Sequence, residues 1–213
     1  MKIKGLITKI IFIILATIPI MAWEGGEYVL TIFSIFVLVW LISPRLKPLI
    51  KKIPIPLFVK TVILAIIFTT ITEYFVFLES GIGIKGESGL FSQNLLFNLI
   101  LAMGIYISLI LVWYFLLKKY KFSLMGIFFS AGIWGVVIEE DFAVLLSLNP
   151  LAYLYIFLAY GSFVAVTFLL IEDNFANTPR KENKARYIVA FFAQFIAYIT
   201  GFLWMALLNT LVG

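Results

Sequence analysis

Long apolar runs alternate with short polar segments along the whole chain. The runs have the approximate limits Leu6–Trp23, Tyr28–Ser43, Leu57–Leu78, Leu95–Leu117, Phe122–Ile138, Leu151–Ile171 and Tyr187–Leu211. A helix needs about 20 mainly apolar residues to cross a bilayer, where its backbone groups must bond to one another. The pattern therefore predicts an all-α bundle with about seven transmembrane spans. The second and fifth runs are short, so we expect their helices to extend into flanking residues.

The segments between the runs are too short to form a second domain, so residues 1–213 are interpreted as one integral membrane domain. The link Ser43–Pro56 contains four prolines. Proline lacks a backbone N–H and clashes with the preceding turn, so we expect this link not to be one continuous helix. The glycine-rich segment Ser80–Ser92 is predicted to be an external loop.

Composition supports the membrane interpretation. The chain is 63% hydrophobic and 13% charged, with a mean hydropathy of +1.12. That charged fraction is about half of the usual share in a soluble domain. The chain contains no cysteine and no histidine, which excludes disulfides, thiol nucleophiles, histidine bases and Cys/His zinc sites. Any chemistry must use carboxylates, hydroxyls, amides, Lys or Arg, and we predict no metal and no cofactor.

The basic residues fall into every second polar segment. Their four clusters are Lys2–Lys9, Arg45–Lys60, Lys118–Lys121 and Arg180–Arg186, and Lys85 alone lies in an alternate segment. Because cytoplasmic loops carry an excess of Lys and Arg, the alternation predicts a multi-pass protein of the cell membrane. The N-terminus would be cytoplasmic and the C-terminus external. We attribute the net charge of +5 to loops that attract anionic lipid, and not to nucleic-acid binding.

The first run has a second interpretation. Its three lysines, the apolar stretch Ile10–Ile20 and the small residue Ala22 also fit a cleaved signal peptide. The bulky residues before Ala22, and the ability of Lys9 to reach the interface, favour a retained span. Cleavage would leave six spans, with the other loops on unchanged sides.

Glu73 lies within the third run, where an ionisable residue is costly and indicates function by default. Thr61, Ala65 and Thr69 precede it at intervals of four residues, and Thr72 adjoins it. Residues at this spacing share one helical face, so we expect Glu73 to face the bundle interior in the outer half of the membrane. The structural alternative is a neutral glutamic acid that hydrogen-bonds neighbouring helices.

Two further runs have polar stripes. The stripe on the fourth run contains Asn94, Asn98, Ala102 and Tyr106, and that on the last run contains Gln194, Tyr198, Gly201, Met205 and Asn209. Because the fourth run travels back toward the cytoplasm, Asn98 lies at about the depth of Glu73, and we predict that the two meet. Tryptophans near the ends of runs, such as Trp113 and Trp204, are typical of membrane interfaces.

Three consecutive acids, Glu139, Glu140 and Asp141, follow the fifth run. Gly132 and Gly135 share a face with Glu139, and Ala131 with Gly135 gives the spacing of small residues that allows close helix contact. A solvated cap is the structural alternative, because external loops tolerate acids freely. The apolar residues that follow reduce solvation, however, so we expect at least one of these acids to bind a cation or to have a raised pKa.

The leading functional hypothesis is a small-solute or ion transporter with an outer-half cavity. Its predicted substrate-binding residues are Glu73, Asn98, Glu139, Glu140 and Tyr198. One alternative is a membrane-embedded enzyme that acts on a lipid or isoprenoid with paired carboxylates as acid and base. Another is a non-catalytic assembly subunit. The sequence assigns no catalytic residue, no substrate and no oligomeric state.

The acidic pair resembles the first motif of the intramembrane CAAX-type proteases. Those enzymes also need a basic residue shortly after the pair and histidines on later spans. Here Glu139-Glu140 is followed by Asp141, Phe142 and Ala143, and the chain has no histidine. The resemblance therefore does not extend to catalysis.

Overall fold

The computed structural model describes residues 10, 13, 14, 27–81, 92, 94–139, 150–176 and 179–212. It is 88% helical and contains no strand in this part of the chain, which confirms the predicted all-α fold. The long helices are α1 (Glu27–Lys52), α2 (Leu57–Gly81), α3 (Leu95–Lys119), α4 (Leu124–Glu139), α5 (Pro150–Leu169) and α6 (Ala185–Val212). A short 3₁₀ helix, Glu172–Phe175, lies between α5 and α6.

Four of these helices, α1, α2, α3 and α6, are long and apolar enough to cross a membrane. The apolar parts of α4 and α5 are shorter, at Leu124–Ile138 and Tyr153–Leu169. The first predicted run, with its signal-peptide alternative, lies mostly outside the described residues. The number of seven spans therefore stays a prediction.

Helix α5 lies in the middle of the bundle. It packs most extensively against α4 and α1, and it also contacts α2 and α3. Every residue from Gly161 to Leu169 is buried, because neighbouring helices surround this half of α5. Helix α3 packs against both α2 and α6, so these three helices form a continuous layer, and α2 and α3 of this layer contact α5.

Helix α1 passes through Pro44 and extends beyond the predicted limit at Ser43 to Lys52. Pro44 has no N–H to donate to the carbonyl of Trp40, four residues earlier. The buried hydroxyl of Ser43 donates to that carbonyl instead, at 2.8 Å. The helix tolerates this proline because the freed carbonyl has a new partner. The expected interruption of the link falls later, in the segment 53–56.

A lysine from the next helix caps the C-terminus of α1. Lys60 is 5% exposed, and its Nζ donates to the carbonyls of Ile50 at 2.9 Å and Lys51 at 3.4 Å. The last carbonyls of a helix have no partner within the helix and bear partial negative charge. Lys60 therefore stabilises the end of α1 and ties it to α2.

The connections α1–α2, α3–α4 and α5–α6 lie at one end of the bundle, which we call the basic end. The backbone N–H of Lys121 donates to the carbonyl of Lys181 at 3.0 Å, and that of Lys181 to Lys119 at 2.9 Å. Lys47 of α1 forms an ion pair with Glu172. The sequence clusters at this end are Arg45–Lys60, Lys118–Lys121 and Arg180–Arg186. Three of the four predicted basic clusters therefore share one end of the fold.

Helices α4 and α5 approach so closely that their backbones nearly touch. A Cβ atom added at Gly132 would lie 2.6 Å from the carbonyl oxygen of Phe157, and one at Gly161 would lie 2.8 Å from that of Phe128. Larger residues at either position would force the helices apart. The predicted close contact along the glycine face of the fifth run is confirmed, with α5 as its partner.

Trp113, predicted at the membrane interface, lies between α3 and α6. It is fully buried, and its Nε1 donates to Oε1 of Gln194 at 2.9 Å. Its ring also packs edge-on against Phe122 in the α3–α4 connection. The interface prediction is therefore wrong for Trp113, because the chain buries this end of α3 and supplies an acceptor for the indole N–H. Trp204 is half-exposed and donates to the carbonyl of Ile100 at 2.9 Å.

Candidate functional site

Glu73 and Asn98 meet in the interior between α2 and α3. Nδ2 of Asn98 donates to Oε2 of Glu73 at 3.0 Å. The exposed fractions are 2% for Glu73 and 0% for Asn98. The predicted contact between these two side chains is present, at the end of the bundle opposite the basic end.

The predicted stripe on α2 explains the orientation of Glu73. Thr61, Ala65 and Thr69 are fully buried, like Glu73, whereas Ile66 between them is exposed. This face of α2 packs toward α3 and α5. The four-residue spacing therefore directs the carboxyl group into the bundle and the isoleucines outward.

A second hydrogen bond fixes the orientation of the Asn98 amide. Its Oδ1 accepts from the backbone N–H of Ser92 at 3.2 Å, which directs the Nδ2 donor toward Glu73. Asn94, one turn earlier, is exposed and caps the N-terminus of α3 by accepting from the N–H of Phe97 at 3.0 Å. Asn94 therefore has a structural role, and Asn98 links the carboxyl group to the segment before α3.

A carboxyl group in this position can hold a proton or bind a monovalent cation. Removal from water makes the ionised form costly unless a proton or a cation neutralises it. The Asn98 amide adds no charge, and its N–H can bond to a carboxylate oxygen or to the carbonyl oxygen of the neutral acid. Among the side chains that the structure describes, Glu73 is the one buried carboxyl group.

Four buried side-chain polar atoms have no hydrogen-bond partner within the described part of the chain: Oγ1 of Thr69, Oγ of Ser162, Nε1 of Trp134 and Nε of Arg186. Thr61, by contrast, donates to the carbonyl of its own helix four residues earlier. Thr69 precedes Glu73 by one turn on the same face, and Ser162 lies on α5, which packs against α2. Buried polar atoms are nearly always paired with protein or water. These hydroxyls therefore mark positions where water or a polar ligand would bond.

Tyr198 packs against the bundle interior, as its stripe predicts. Its ring centroid lies 6.1 Å from that of Trp134 and 4.6 Å from that of Phe202. Tyr160 of α5 packs on the other side of Trp134, at 5.9 Å. Tyr198 therefore belongs to the contact of α4, α5 and α6, whereas Glu73 and Asn98 belong to that of α2 and α3. On the same stripe Gln194, Gly201 and Met205 are buried and Asn209 is exposed.

Glu139 is the last residue of α4. Its side chain, with Glu140 and Asp141, lies outside the described residues. Gly135, about one turn earlier, packs under the ring of Tyr160, so this face of α4 is already occupied by α5. A part for Glu139 and Glu140 in a carboxylate-lined cavity stays a prediction.

Comparison with protein-family models, with curated proteins and with solved structures gives no match for this chain. Within the residues that the structure describes, no three Asp or Glu side chains are grouped to hold a metal ion. The candidate site therefore consists of the Glu73–Asn98 pair and the unpaired hydroxyl of Thr69, one turn away on the same face of α2.

Proposed function

We propose that this chain is a multi-pass membrane carrier for a small solute or ion, coupled to a proton or monovalent cation that binds at Glu73. The observation that supports it is the hydrogen bond between Glu73 and Asn98, whose side chains are 2% and 0% exposed. Ionisable side chains inside a membrane bundle are rare, and they commonly mark an ion path or a proton relay. In this proposal Glu73 takes up the coupling ion and releases it.

The proposed orientation follows from the charges. The basic end faces the cytoplasm, as the excess of Lys and Arg in cytoplasmic loops requires. Asn98 and Ser92 then lie toward the outside of the cell membrane. The coupling ion reaches Glu73 from that side, past the first turn of α3.

The path beyond Glu73 uses the remaining buried face of α2. The unpaired hydroxyl of Thr69 lies one turn nearer the basic end, and that of Ser162 lies on the packed neighbour α5. A hydroxyl can donate to and accept from a solute or a water molecule. In this proposal the solute lies along this face of α2, beside Glu73 and Thr69.

The test is solute-coupled proton movement in proteoliposomes with a trapped pH indicator. The solutes are Na⁺, K⁺, amino acids, monocarboxylates and sugars, added one at a time. We expect at least one to change the internal pH. Glu73→Gln should abolish that change, because glutamine keeps the size of the side chain and an acceptor for Asn98 but cannot release a proton. The matched control is Glu182→Gln, since Glu182 is an exposed glutamate at the basic end.

Three other results would contradict this proposal. If Glu73→Gln behaves like the parent for a solute that moves, Glu73 is not the coupling group. If nothing moves and the purified protein converts a component of a lipid extract, the enzyme alternative is favoured. A stable co-purifying protein without solute movement favours the assembly subunit.

A further inference from the structure

An apolar groove opens between α4 and α6 beside the basic end. Its volume is about 430 Å³, and its lining includes Gly126, Phe129 and Ile133 of α4 and Ile188, Phe191 and Phe192 of α6. The α4 positions recur at intervals of three and four residues, so they form one helical face. From Gly126 to Ile133 the groove extends about 10 Å along the helix.

The groove lies between two contacts of α4 with α6. Farther from the basic end Trp134 contacts Phe195 and Tyr198, with ring centroids 6.2 and 6.1 Å apart. Closer to it Gly126 has no side chain, and the hydroxyl of Tyr187 closes the groove above it, 3.0 Å from where a Cβ would lie. The groove is therefore open sideways and bounded at both ends.

Large apolar side chains on the walls of the groove are exposed. Phe192 is 65% exposed, Ile188 63% and Ile133 52%. In water such an apolar patch would promote aggregation, whereas in the hydrocarbon of a bilayer it contacts acyl chains. The walls therefore favour an apolar chain as the occupant.

A guanidinium group lies at the closed end of the groove. Nη2 of Arg186 donates to the Tyr187 hydroxyl at 3.4 Å, and the group lies 5.7 Å from the ring centroid of Phe122 and 5.0 Å from that of Tyr187. Its Nε has no hydrogen-bond partner among the described residues, and the ion pair with Glu182 is long, at 4.0 Å. The rings hold the guanidinium in place, and the Arg186 side chain is 15% exposed. Because Nε is buried, a ligand would reach the guanidinium through its Nη groups.

The surroundings of Arg186 favour an anion. Arg186 lies in the first turn of α6, where the helix dipole adds partial positive charge. Lys181 and Lys184 precede it. A guanidinium binds phosphate oxygens in a bidentate manner, and basic pockets between helices on the cytoplasmic side are known to bind anionic lipid headgroups.

We propose that this groove binds one anionic phospholipid of the cytoplasmic leaflet. One acyl chain lies between α4 and α6, and the phosphate binds Arg186 beside the Tyr187 hydroxyl. The apolar walls select a lipid over free phosphate, and the guanidinium selects an anionic headgroup over a zwitterionic one. The proposal rests on the membrane orientation given under Proposed function, but not on transport through Glu73.

The test is native mass spectrometry of the full chain in detergent. The lipids are equimolar phosphatidylglycerol and phosphatidylcholine with identical acyl chains. We expect the parent to retain one phosphatidylglycerol in preference to phosphatidylcholine. Arg186→Gln should reduce that preference about fivefold, the factor expected for one basic residue at a membrane surface. Lys52→Gln on α1 makes the same charge change at the basic end and should leave the preference intact.

A second variant tests the acyl-chain part of the site. Ile133→Trp fills the groove from a half-exposed position, so it requires no repacking of the interior. It should reduce retention of both lipids. Glu73→Gln should bind lipid like the parent, which separates a failure of this proposal from a failure of the carrier.

Four results would overturn the lipid site. Equal retention of both lipids by the parent would show that the groove does not select a headgroup. Equal losses in Arg186→Gln and Lys52→Gln would show diffuse attraction only. Unchanged retention in Ile133→Trp would place the lipid elsewhere. Absence of any retained lipid would mean that another segment of the chain, or a second copy, covers the groove.

Discussion

At the scale of single residues, the Glu73–Asn98 pair is a weak way to hold helices together. Hydrogen bonds between membrane helices contribute about 0.6 kcal/mol on average, and rarely more than about 1.7 kcal/mol. Helices α2 and α3 already pack against each other along their length. A carboxyl group is also more costly to bury than an amide or a hydroxyl. The choice of glutamate over glutamine at position 73 therefore favours a use for its charge or its proton.

The pair is sensitive to loss of its donor. Asn98→Ala removes the N–H that Glu73 accepts and the oxygen that the Ser92 N–H donates to. Each of the two lost hydrogen bonds contributes about 0.5–1.5 kcal/mol, so we expect the unfolding free energy in detergent to fall by about 1–3 kcal/mol. Asn209→Ala, at an exposed asparagine of α6, is the control. Equal losses of unfolding free energy in the two variants would show that the Glu73–Asn98 hydrogen bond does not stabilise the fold.

The sequence predicted this pair for a simple reason. Polar residues in a bilayer must face protein, so the four-residue spacing before Glu73 and the antiparallel course of the next run were sufficient to predict the contact with Asn98.

The Trp113–Gln194 bond was missed because Trp113 lies six residues before Lys119, where an indole usually marks an interface. Gln194 lay on a predicted polar stripe, which was the signal that an interior donor was needed.

At the scale of elements, α1 illustrates how one hydroxyl changes the effect of a proline. Ser43→Ala should leave the Trp40 carbonyl without a donor and cost about 1 kcal/mol. Pro44→Ala restores a backbone N–H for the same carbonyl, so the double variant should recover that loss. A double-mutant cycle on unfolding in detergent measures the coupling. Additive effects of the two substitutions would show that Ser43 does not replace the missing N–H.

The α4–α5 contact depends on glycine at one position of α4 and not at another. Gly132→Ala puts a methyl group against the backbone carbonyl of Phe157 and should destabilise the protein by about 1–3 kcal/mol. Gly126→Ala meets the end of the Tyr187 side chain at 3.0 Å and the Ser123 hydroxyl at 3.1 Å, but no backbone atom. It should be neutral or stabilising, because both side chains can move slightly and alanine favours a helix over glycine by about 1 kcal/mol. Thermal unfolding of both variants gives the comparison. Unchanged thermal stability of Gly132→Ala would contradict the close approach of α4 and α5.

At the scale of the whole molecule, the alternation of basic segments predicted which connections lie together. The α1–α2, α3–α4 and α5–α6 connections share the basic end because consecutive antiparallel helices return to it. The central position of α5 was not predictable from its sequence, since helices in lipid are apolar on all sides and hydropathy does not distinguish protein contact from lipid contact. The glycines of α4 indicated a close contact, but they did not identify its partner.

The proposed topology predicts opposite signals from reporter fusions at Lys52 and Gly86. The fusion at Lys52, at the basic end, should report the cytoplasm, and the fusion at Gly86 should report the outside. A fusion at Lys119 is the internal control and should agree with Lys52. Matching signals at Lys52 and Gly86 would exclude this topology.

The central claim is that Glu73 exchanges with water during a carrier cycle. Because the chain has no cysteine, Glu73→Cys gives a single thiol that a small, charged thiol reagent reaches only through water. In sealed vesicles the account predicts modification when the reagent is added on the side opposite the basic end, with Thr69→Cys reacting more slowly and the exposed control Asn94→Cys reacting fully. Complete protection of both buried positions, while Asn94→Cys reacts, would contradict the account and leave Glu73 as a static helix contact.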